Sequence, residues 1–213
     1  MKRALVGASL LIQILQAGCS LFGIRSEEIP KYQVVLKDDN KEIRLYSPYI
    51  VARTTVDGNF DEAQSKGFRI LADYIFGNNK SKETIPMTAP VVQKQKGESI
   101  AMTAPVVMNP SQNRQQWTMA FSMPSRYNLQ SLPIPNDKRI ELVERGSHYT
   151  AAIIYSGRWS EEKNRKMGQE LEEWLVGKND YDILSQPQFA GYNPPWTLPF
   201  FRHNEMLIDV RKK

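Results

Sequence analysis

The 213-residue sequence contains a single cysteine, Cys19, and only two histidines, His148 and His203. One cysteine cannot form an intramolecular disulfide, so the fold must be held together by its core. The sequence also lacks a nucleophile elbow, a phosphate-binding loop, a dinucleotide fingerprint and a zinc-binding HExxH helix. With so few nucleophiles and metal ligands, we predict a protein that binds a ligand without catalysing a reaction.

An excess of charge of one sign is missing as well. The chain has 28 basic and 23 acidic residues, and loss of Lys2 and Arg3 with a predicted signal segment leaves 26 basic residues. These residues are mixed with acidic ones instead of forming the basic stripe of a nucleic-acid interface. We therefore expect no nucleic-acid partner.

The first eighteen residues have the pattern of a signal peptide. Lys2 and Arg3 precede a mostly apolar run over residues 4–15, which is too short for a stop-transfer helix. The sequence Leu15-Gln-Ala-Gly-Cys19 resembles the lipobox of bacterial lipoproteins, although Gln16 departs from that pattern. The resemblance implies cleavage after residue 18, diacylation of Cys19 and a tether over residues 19–30. A plain secretory signal with an incidental Cys19 is the alternative.

Ser20, directly after that cysteine, resembles the sorting pattern of outer-membrane lipoproteins, since aspartate at this position usually signals retention in the inner membrane. We therefore expect the protein at the outer membrane, facing the periplasm. Several acyl chains together anchor a protein far more firmly than one chain does.

Residues 31–213 contain two related units about one hundred residues apart. Tyr49-Ile-Val-Ala52 leads into a predicted helix that ends at Gly77, and Tyr149-Thr-Ala-Ala152 leads into one that ends at Gly177. Asn59 and Ser160 are expected to cap the two helices, and both glycines are expected to end them in a left-handed conformation. The first helix carries one apolar arc, formed by Phe60, Ala63, Gly67, Ile70, Leu71, Tyr74 and Ile75.

Alternating patterns predict strands around these helices, for example Trp117 to Met123, His148 to Tyr155 and Met206 to Val210. The segment Met87-Thr-Ala-Pro-Val-Val92 recurs at 102–107 and predicts a hairpin. The predicted fold is α+β: a duplicated, pseudo-two-fold unit that forms a distorted antiparallel β-barrel of about eight strands flanked by two α-helices.

Four stretches together resemble the SOUL haem-binding family, and the resemblance covers nearly all of residues 31–211. They are Glu42-Ile-Arg-Leu-Tyr46 with Ile50-Val-Ala52, the two Met-Thr-Ala-Pro-Val segments, Phe121-Ser-Met-Pro-Ser125, and Phe189 to Arg202 with Asn204-Glu205. The resemblance implies a pseudo-symmetric barrel with two helices. It also implies haem or another tetrapyrrole as a ligand that the chain does not need for folding.

The resemblance further implies a haem groove between the first helix and the loop before the last strand. In this sequence these are residues 60–76 and 194–204. The basic and methionine contacts implied on that helix have no counterpart, because Ser65, Ala72 and Asp73 stand at the nearest positions.

A second apolar strip on the first helix fits this groove. Phe68, Ala72 and Phe76 recur every four residues on the side opposite the core arc, and Arg69 adds a cation for a propionate. We hypothesise that Trp196, Phe200 and Phe201 roof this strip, and Arg202 is a further candidate ligand-binding residue. In the alternative interpretation, Phe68 belongs to the edge of the core and Phe76 packs at the helix end.

His203, in the same loop, is the candidate axial ligand for iron, and His148 is interpreted as a structural histidine. Two other functions remain open: binding of another amphipathic ligand such as a lipid, and docking of an envelope protein on the Pro-Pro-Trp-Thr-Leu-Pro loop.

Overall fold

The computed structural model of the protein describes residues 27–81, 97–110, 116–193 and 197–213. The predicted signal segment, Cys19, the first Met-Thr-Ala-Pro-Val-Val copy and Trp196 lie outside these ranges. In chain order the strands and helices are β1 (Tyr32–Asp38), β2 (Lys41–Tyr46), β3 (Tyr49–Asp57), α1 (Phe60–Ile75), β4 (Asn79–Lys80), β5 (Val106–Pro110), β6 (Gln116–Ser122), β7 (Ile134–Pro135), β8 (Glu141–Arg145), β9 (His148–Tyr155), α2 (Glu161–Val176), β10 (Tyr181–Ile183), β11 (Gln188–Gly191) and β12 (Asn204–Lys212).

The main sheet has the strand order β1-β2-β9-β12-β11-β5-β6-β3-β8, and all its pairs are antiparallel. The order is symmetric about the β11–β5 pair. On one side lie β12, β9 and β2, and on the other lie β6, β3 and β8. Because β3-α1-β5-β6 and β9-α2-β11-β12 occupy equivalent places, the structure confirms the predicted duplication.

Two long ladders curl this sheet into a distorted half-barrel. Tyr46 lies opposite His148 and Tyr49 lies opposite Arg145, so the residue pairing of the β2–β9 ladder continues into the β3–β8 ladder without a shift. Only two residues separate β2 from β3, and two separate β8 from β9. Residues 41–53 and 141–153 therefore form one bent ribbon that brings the two ends of the sheet order together.

The two faces of the sheet differ in character. Both helices lie on the outer face, where Met119, Phe121, Ile153 and Ile208 are almost fully buried. The inner face carries many polar side chains and borders a cavity of about 330 Å³, lined by residues of β2, β3, β5, β6, β8, β9, β11 and β12. The hydrophobic core is therefore the layer between the helices and the sheet.

The helices begin where the caps predict. The Asn59 side chain accepts a hydrogen bond from Glu62 N at 3.0 Å, and Ser160 accepts one from Lys163 N at 3.2 Å. Gly77 has φ +115°, as expected of a left-handed end, but Gly177 has φ −76°. The prediction for Gly177 is wrong: its N–H bonds back to Leu175 O in a right-handed turn.

The arc predicted to pack α1 on the sheet is confirmed. Six of its seven members are buried, and Ile70 is half-buried against the same core. Gly67 allows the closest approach, since a Cβ there would lie 3.1 Å from Met119 Cβ. Across the described residues, neither helix combines the length and the hydropathy needed to cross a bilayer.

Candidate functional site

The exposed side of α1 carries two of the predicted apolar ligand residues. The side chain of Phe68 is 36% exposed and that of Phe76, which follows the helix as its C-cap, is 66% exposed. The edge of the Phe68 ring also touches Phe121, with the centroids 5.5 Å apart. Arg69 is exposed beside Phe68 and donates from Nε to Ser65 O at 3.2 Å.

Ala72 does not belong to this surface. It is only 8% exposed and packs with the buried side of the helix, so the prediction that it joins an exposed strip is wrong. The apolar arc is wider than the sequence indicated because Leu71 and Ala72 both face the core. The remaining surface consists of two separated phenylalanines with an arginine next to the first.

The loop before β12 contains the other predicted residues. Pro199–Phe201 form a short 3-10 helix on which Phe200 is 65% and Phe201 42% exposed, and their rings are 4.5 Å apart. Gly157 N donates to Pro199 O at 2.8 Å, which fixes this loop to the turn between β9 and α2. Arg202 Nε donates to Thr197 O at 2.8 Å.

A row of aromatic contacts connects this loop to the first helix. The Arg202 guanidinium lies 5.8 Å from the ring of Trp159, Trp159 packs on Phe189 at 5.3 Å, and Phe189 packs on Phe60 at 6.2 Å. Phe60 is the first residue of α1. Trp159 and Phe189 therefore lie between this loop and the N-terminal end of α1, and Phe76 lies about 24 Å beyond Phe60 along the helix axis.

His203 joins this loop to a buried polar cluster. Its Nε2 lies 2.6 Å from Glu205 Oε1, and its ring packs edge-on against Tyr192 at 4.7 Å. Tyr192 donates from its hydroxyl to Glu205 Oε2 at 2.7 Å. The side chain of His203 keeps 22% of its surface exposed, while that of Glu205 keeps 1%. His203 thus stands between solvent and an enclosed carboxylate.

Arg44 is the cationic partner of that carboxylate. Its two terminal nitrogens donate to the two oxygens of Glu205 at 2.8 and 2.9 Å, and Nε donates to Glu42 Oε2 at 2.8 Å. The guanidinium also lies 4.4 Å from the ring centroid of Tyr32. Arg44 thus makes a bidentate pair with Glu205, a third charged hydrogen bond to Glu42 and a stacking contact with Tyr32.

This cluster lies on the inner face of the sheet and was not predicted. Arg44 is on β2 and Glu205 is on β12, with β9 between them. On β9, Thr150 faces Arg44 and Ile154 faces Glu205, and Ala152 between them has only a methyl group. The small alanine leaves room for the long arginine to cross the central strand.

The charges and hydrogen bonds within the cluster shift the pKa values of Glu205 and Arg44. Burial by itself favours a protonated Glu205, but hydrogen bonds from His203 and Arg44 outweigh burial and lower the pKa of Glu205 to about 2. The same hydrogen bonds and charge raise the pKa of Arg44 against the effect of its own burial. Both groups therefore stay ionised at neutral pH.

His148 has the structural surroundings that the sequence indicated. Its Nδ1 lies 2.7 Å from Gly146 O, and its ring stacks on Tyr46 with the centroids 5.5 Å apart. Burial lowers the pKa of His148. Within the described ranges, no group of three or more His, Cys, Asp or Glu side chains could hold a metal ion.

The fold and these sites define an α+β barrel protein with a duplicated strand–helix unit. The model of the SOUL heme-binding protein family matches residues 27–97 and 92–209, so the chain belongs to this family. The segments that carry the resemblance supply Glu42, Arg44 and Glu205, which meet in the buried cluster. No curated protein matches the sequence.

Solved structures support the fold alone. The chain is similar to the C-terminal domain of EcmrR with 12% identity and a TM-score of 0.57, covering 85% of this chain and 99% of that one. It is also similar to EcmrR in its DNA complex, with 13% identity and a TM-score of 0.55, covering 100% of this chain and 68% of that one. A hydrolase from Listeria innocua is similar with 10% identity and a TM-score of 0.52, covering 83% of this chain and 94% of that one.

The cluster makes stability depend on pH in a defined direction. The pKa of Glu205 lies below its ordinary value of 4.5 in the folded protein, so its contribution is complete above about pH 4.5. The contribution is lost as the pH falls towards about 2.

We expect Glu205→Gln to lower the free energy of unfolding by about 3–5 kcal/mol at pH 7, because Arg44 loses its main partner. Urea denaturation from pH 7 to pH 2 measures both effects.

Asp182→Asn is the matched control. Asp182 also pairs with an arginine, Arg211, at 2.9 Å, but both side chains are exposed. This variant is expected to show only a small change, as exposed pairs do. A Glu205→Gln protein that is as stable as this control, with an unaltered pH profile, would show that the cluster does not stabilise the fold.

Proposed function

We propose that this protein binds haem or a related tetrapyrrole without turnover, as a carrier, buffer or scavenger. Membership of the SOUL heme-binding family is the observation that carries the proposal. The described residues fit such a ligand. Two exposed phenylalanines supply flat apolar surface on α1, and Arg69 supplies a cation for a propionate carboxylate.

The proposed binding surface has two parts, the exposed side of the first helix and the loop before β12. Phe68 lies about 12 Å from Phe60 along the helix axis, at 1.5 Å per residue, and Phe76 lies at the far end. Phe200, Phe201 and Arg202 form the loop side, together with Trp196, whose position lies outside the described residues. Binding buries aromatic surface that is now exposed.

His203 is the proposed axial ligand. A histidine that ligates a metal commonly donates its second ring N–H to a carboxylate, which fixes the tautomer and the ring. The 2.6 Å contact between Nε2 and Glu205 has this form and leaves Nδ1 for the iron. Arg44 and Tyr192 keep the carboxylate in place.

The proposal extends to the cell envelope. The lipobox-like sequence before Cys19 supports a lipid anchor, and Ser20 supports the outer membrane. A carrier tethered at this membrane would hold its ligand on the periplasmic side.

Titration with hemin tests the binding surface. We expect the main absorption band of hemin to shift and saturate with the wild-type protein. The double substitution Phe68→Ser and Phe76→Ser should lower the affinity at least about tenfold, since burying one phenylalanine is worth about 1.5–3 kcal/mol.

Val176→Ser is the matched control for this titration. Val176 is 78% exposed at the end of α2, at the place in the second unit that corresponds to Phe76. It should bind hemin as the wild type does. An unchanged affinity in the double variant, with the fold intact by circular dichroism, would refute the proposed surface; no shift with wild type would refute haem binding.

His203→Ala tests the axial ligand separately. We expect the variant to bind hemin more weakly and to lose the part of the spectral shift that arises from ligation. His148→Ala serves as the comparison, because that histidine is held by Gly146 O and Tyr46. Identical spectra of His203→Ala and wild type would remove His203 from the site.

Cys19→Ser tests the anchor. We expect the variant expressed in a bacterial host to lose palmitate labelling and to move from the membrane fraction to the soluble fraction, because the acylated thiol is missing. Ser20→Asp should stay lipidated and move to the inner membrane. Membrane association that survives in Cys19→Ser would contradict a lipid anchor at this residue.

A further inference from the structure

The inner face of the sheet carries a second group of polar side chains, apart from the buried ion pair of Glu205. This group borders the cavity of about 330 Å³ and consists of Tyr49 on β3, Arg145 on β8, His148 on β9 and Asp209 on β12. The centroid of the Tyr49 ring lies 5.9 Å from Arg145 Cζ and 5.9 Å from the centroid of the His148 ring. A single ligand in the cavity can therefore contact Tyr49, Arg145 and His148 together.

Arg145 has hydrogen-bond donors to spare. Its Nη2 donates to Asp209 Oδ2 at 2.7 Å, in a pair that leaves 30% of the arginine side chain and 22% of the aspartate side chain exposed. Asp209 also accepts from Thr150 Oγ1 at 3.2 Å and from Gln188 Nε2 at 3.4 Å. A guanidinium carries five N–H groups, so Arg145 can bind a second carboxylate, whereas the oxygens of Asp209 already hold three donors.

His148 offers an acceptor to the same cavity. A carbonyl oxygen can only accept, so the 2.7 Å contact with Gly146 O requires the hydrogen on Nδ1. Burial lowers the pKa of His148, which favours the neutral ring with a lone pair on Nε2. Among the described residues, no group forms a hydrogen bond with Nε2, and the stack on Tyr46 fixes the ring. The half-buried His148 lines the cavity, so Nε2 is the ring atom left for a ligand that brings a donor.

The rest of the lining suits a flat apolar body. Aliphatic side chains reach the cavity from four different strands, namely Val51, Val107, Val143 and Leu207. The rings of Tyr46 and Tyr49 lie 5.9 Å apart and add aromatic surface. An aromatic ring gains both apolar burial and ring-to-ring contact in such surroundings.

The charges of the lining favour an anion. The lining contains two arginines, Arg53 and Arg145, and one aspartate, Asp209. Arg53 is 47% exposed at the rim, where it pairs with Glu141, a residue outside the lining. A cation in the cavity would meet two guanidinium groups, whereas a carboxylate would be attracted by both.

We propose that the inner-face cavity binds a small aromatic carboxylate that carries a hydroxyl group. The guanidinium of Arg145 donates to the carboxylate, His148 Nε2 accepts from the hydroxyl, and the ring lies between the tyrosines and the aliphatic side chains. Both helices lie on the opposite face of the sheet, so this site is separate from Phe68 and Phe76.

Isothermal titration of the full-length protein tests the chemistry of the ligand. The probes are 2-naphthoate, its 5-, 6- and 7-hydroxy derivatives, and the uncharged 2-naphthamide. We expect 2-naphthoate to bind at least about tenfold tighter than 2-naphthamide, because a bidentate bond between charged groups is lost in the amide. At least one hydroxy derivative should bind about fivefold tighter than 2-naphthoate, the effect of one additional hydrogen bond.

Two arginine substitutions locate the carboxylate. Arg145→Gln should remove the preference for 2-naphthoate over 2-naphthamide, because the cation is lost. Arg139→Gln is the matched control: Arg139 also pairs with an aspartate, Asp137, at 2.6 Å, but does not line the cavity. This control should keep the preference of the wild type.

His148→Phe locates the hydroxyl. The variant keeps a ring against Tyr46 and removes the acceptor, so it should bind 2-naphthoate as the wild type does and lose the gain from the hydroxyl. The ¹⁵N resonance of His148 Nε2 gives a second readout in the wild type. It should move with the best hydroxy derivative more than with 2-naphthoate, and this measurement decides if His148→Phe does not fold.

Several outcomes would overturn the proposal. They are the absence of saturable binding of any naphthoate, equal affinities for 2-naphthoate and 2-naphthamide, equal preferences in Arg145→Gln and Arg139→Gln, and no gain from a hydroxyl at any of the three positions. The Phe68→Ser and Phe76→Ser variant should bind the naphthoates as the wild type does. Loss of binding in that variant would place the probe on α1 and overturn the inner-face site, whereas failure of hemin to bind would leave it standing.

Discussion

The ion pair between Arg44 and Glu205 is the interaction on which the rest of the structure depends. It joins the second strand to the last one, 161 residues later, across a central strand whose alanine leaves space for it. Burying a carboxylate is costly, and the cost is offset only when every oxygen has a partner. Here Arg44, Tyr192 and His203 provide those partners. The observed register of β2, β9 and β12 brings these groups together.

The same pair connects the core to the surface that we propose for binding. His203 holds one oxygen of Glu205 and stands at the end of the exposed aromatic loop. Any ligand that contacts His203 therefore acts on a carboxylate whose pKa is about 2 and whose charge holds Arg44. Glu205, which is buried in the barrel, holds the ring of His203 in place. This suits a ligating residue, because a side chain that is already held loses little conformational freedom when a ligand binds.

Local patterns predicted the parts of the fold that depend on neighbours in sequence. Hydrophobic periodicity and caps located both helices, and alternation located the strand His148–Tyr155. The arrangement of Arg44 with Glu205 could not be predicted, because contacts between distant strands leave no periodic signal. Ala72 was misplaced since a small residue fits either an exposed or a buried face, and its burial depends on the curvature of the sheet below. Phe76 is exposed, as its angle on the helix predicts, whereas Phe68 is only 36% exposed and packs on the core residue Phe121, in line with the alternative interpretation that it lies at the edge of the core.

The bent ribbon formed by residues 41–53 and 141–153 makes the two halves of the chain interdependent. The first half contributes β2 to the sheet of the second, and the second half contributes β8 to the sheet of the first. A half on its own would therefore lack its outer strand and expose a row of unpaired backbone groups. Two identical halves could exchange these strands and satisfy each other, which is the geometry of a swapped homodimer. The single chain thus holds the geometry of such a dimer within one polypeptide.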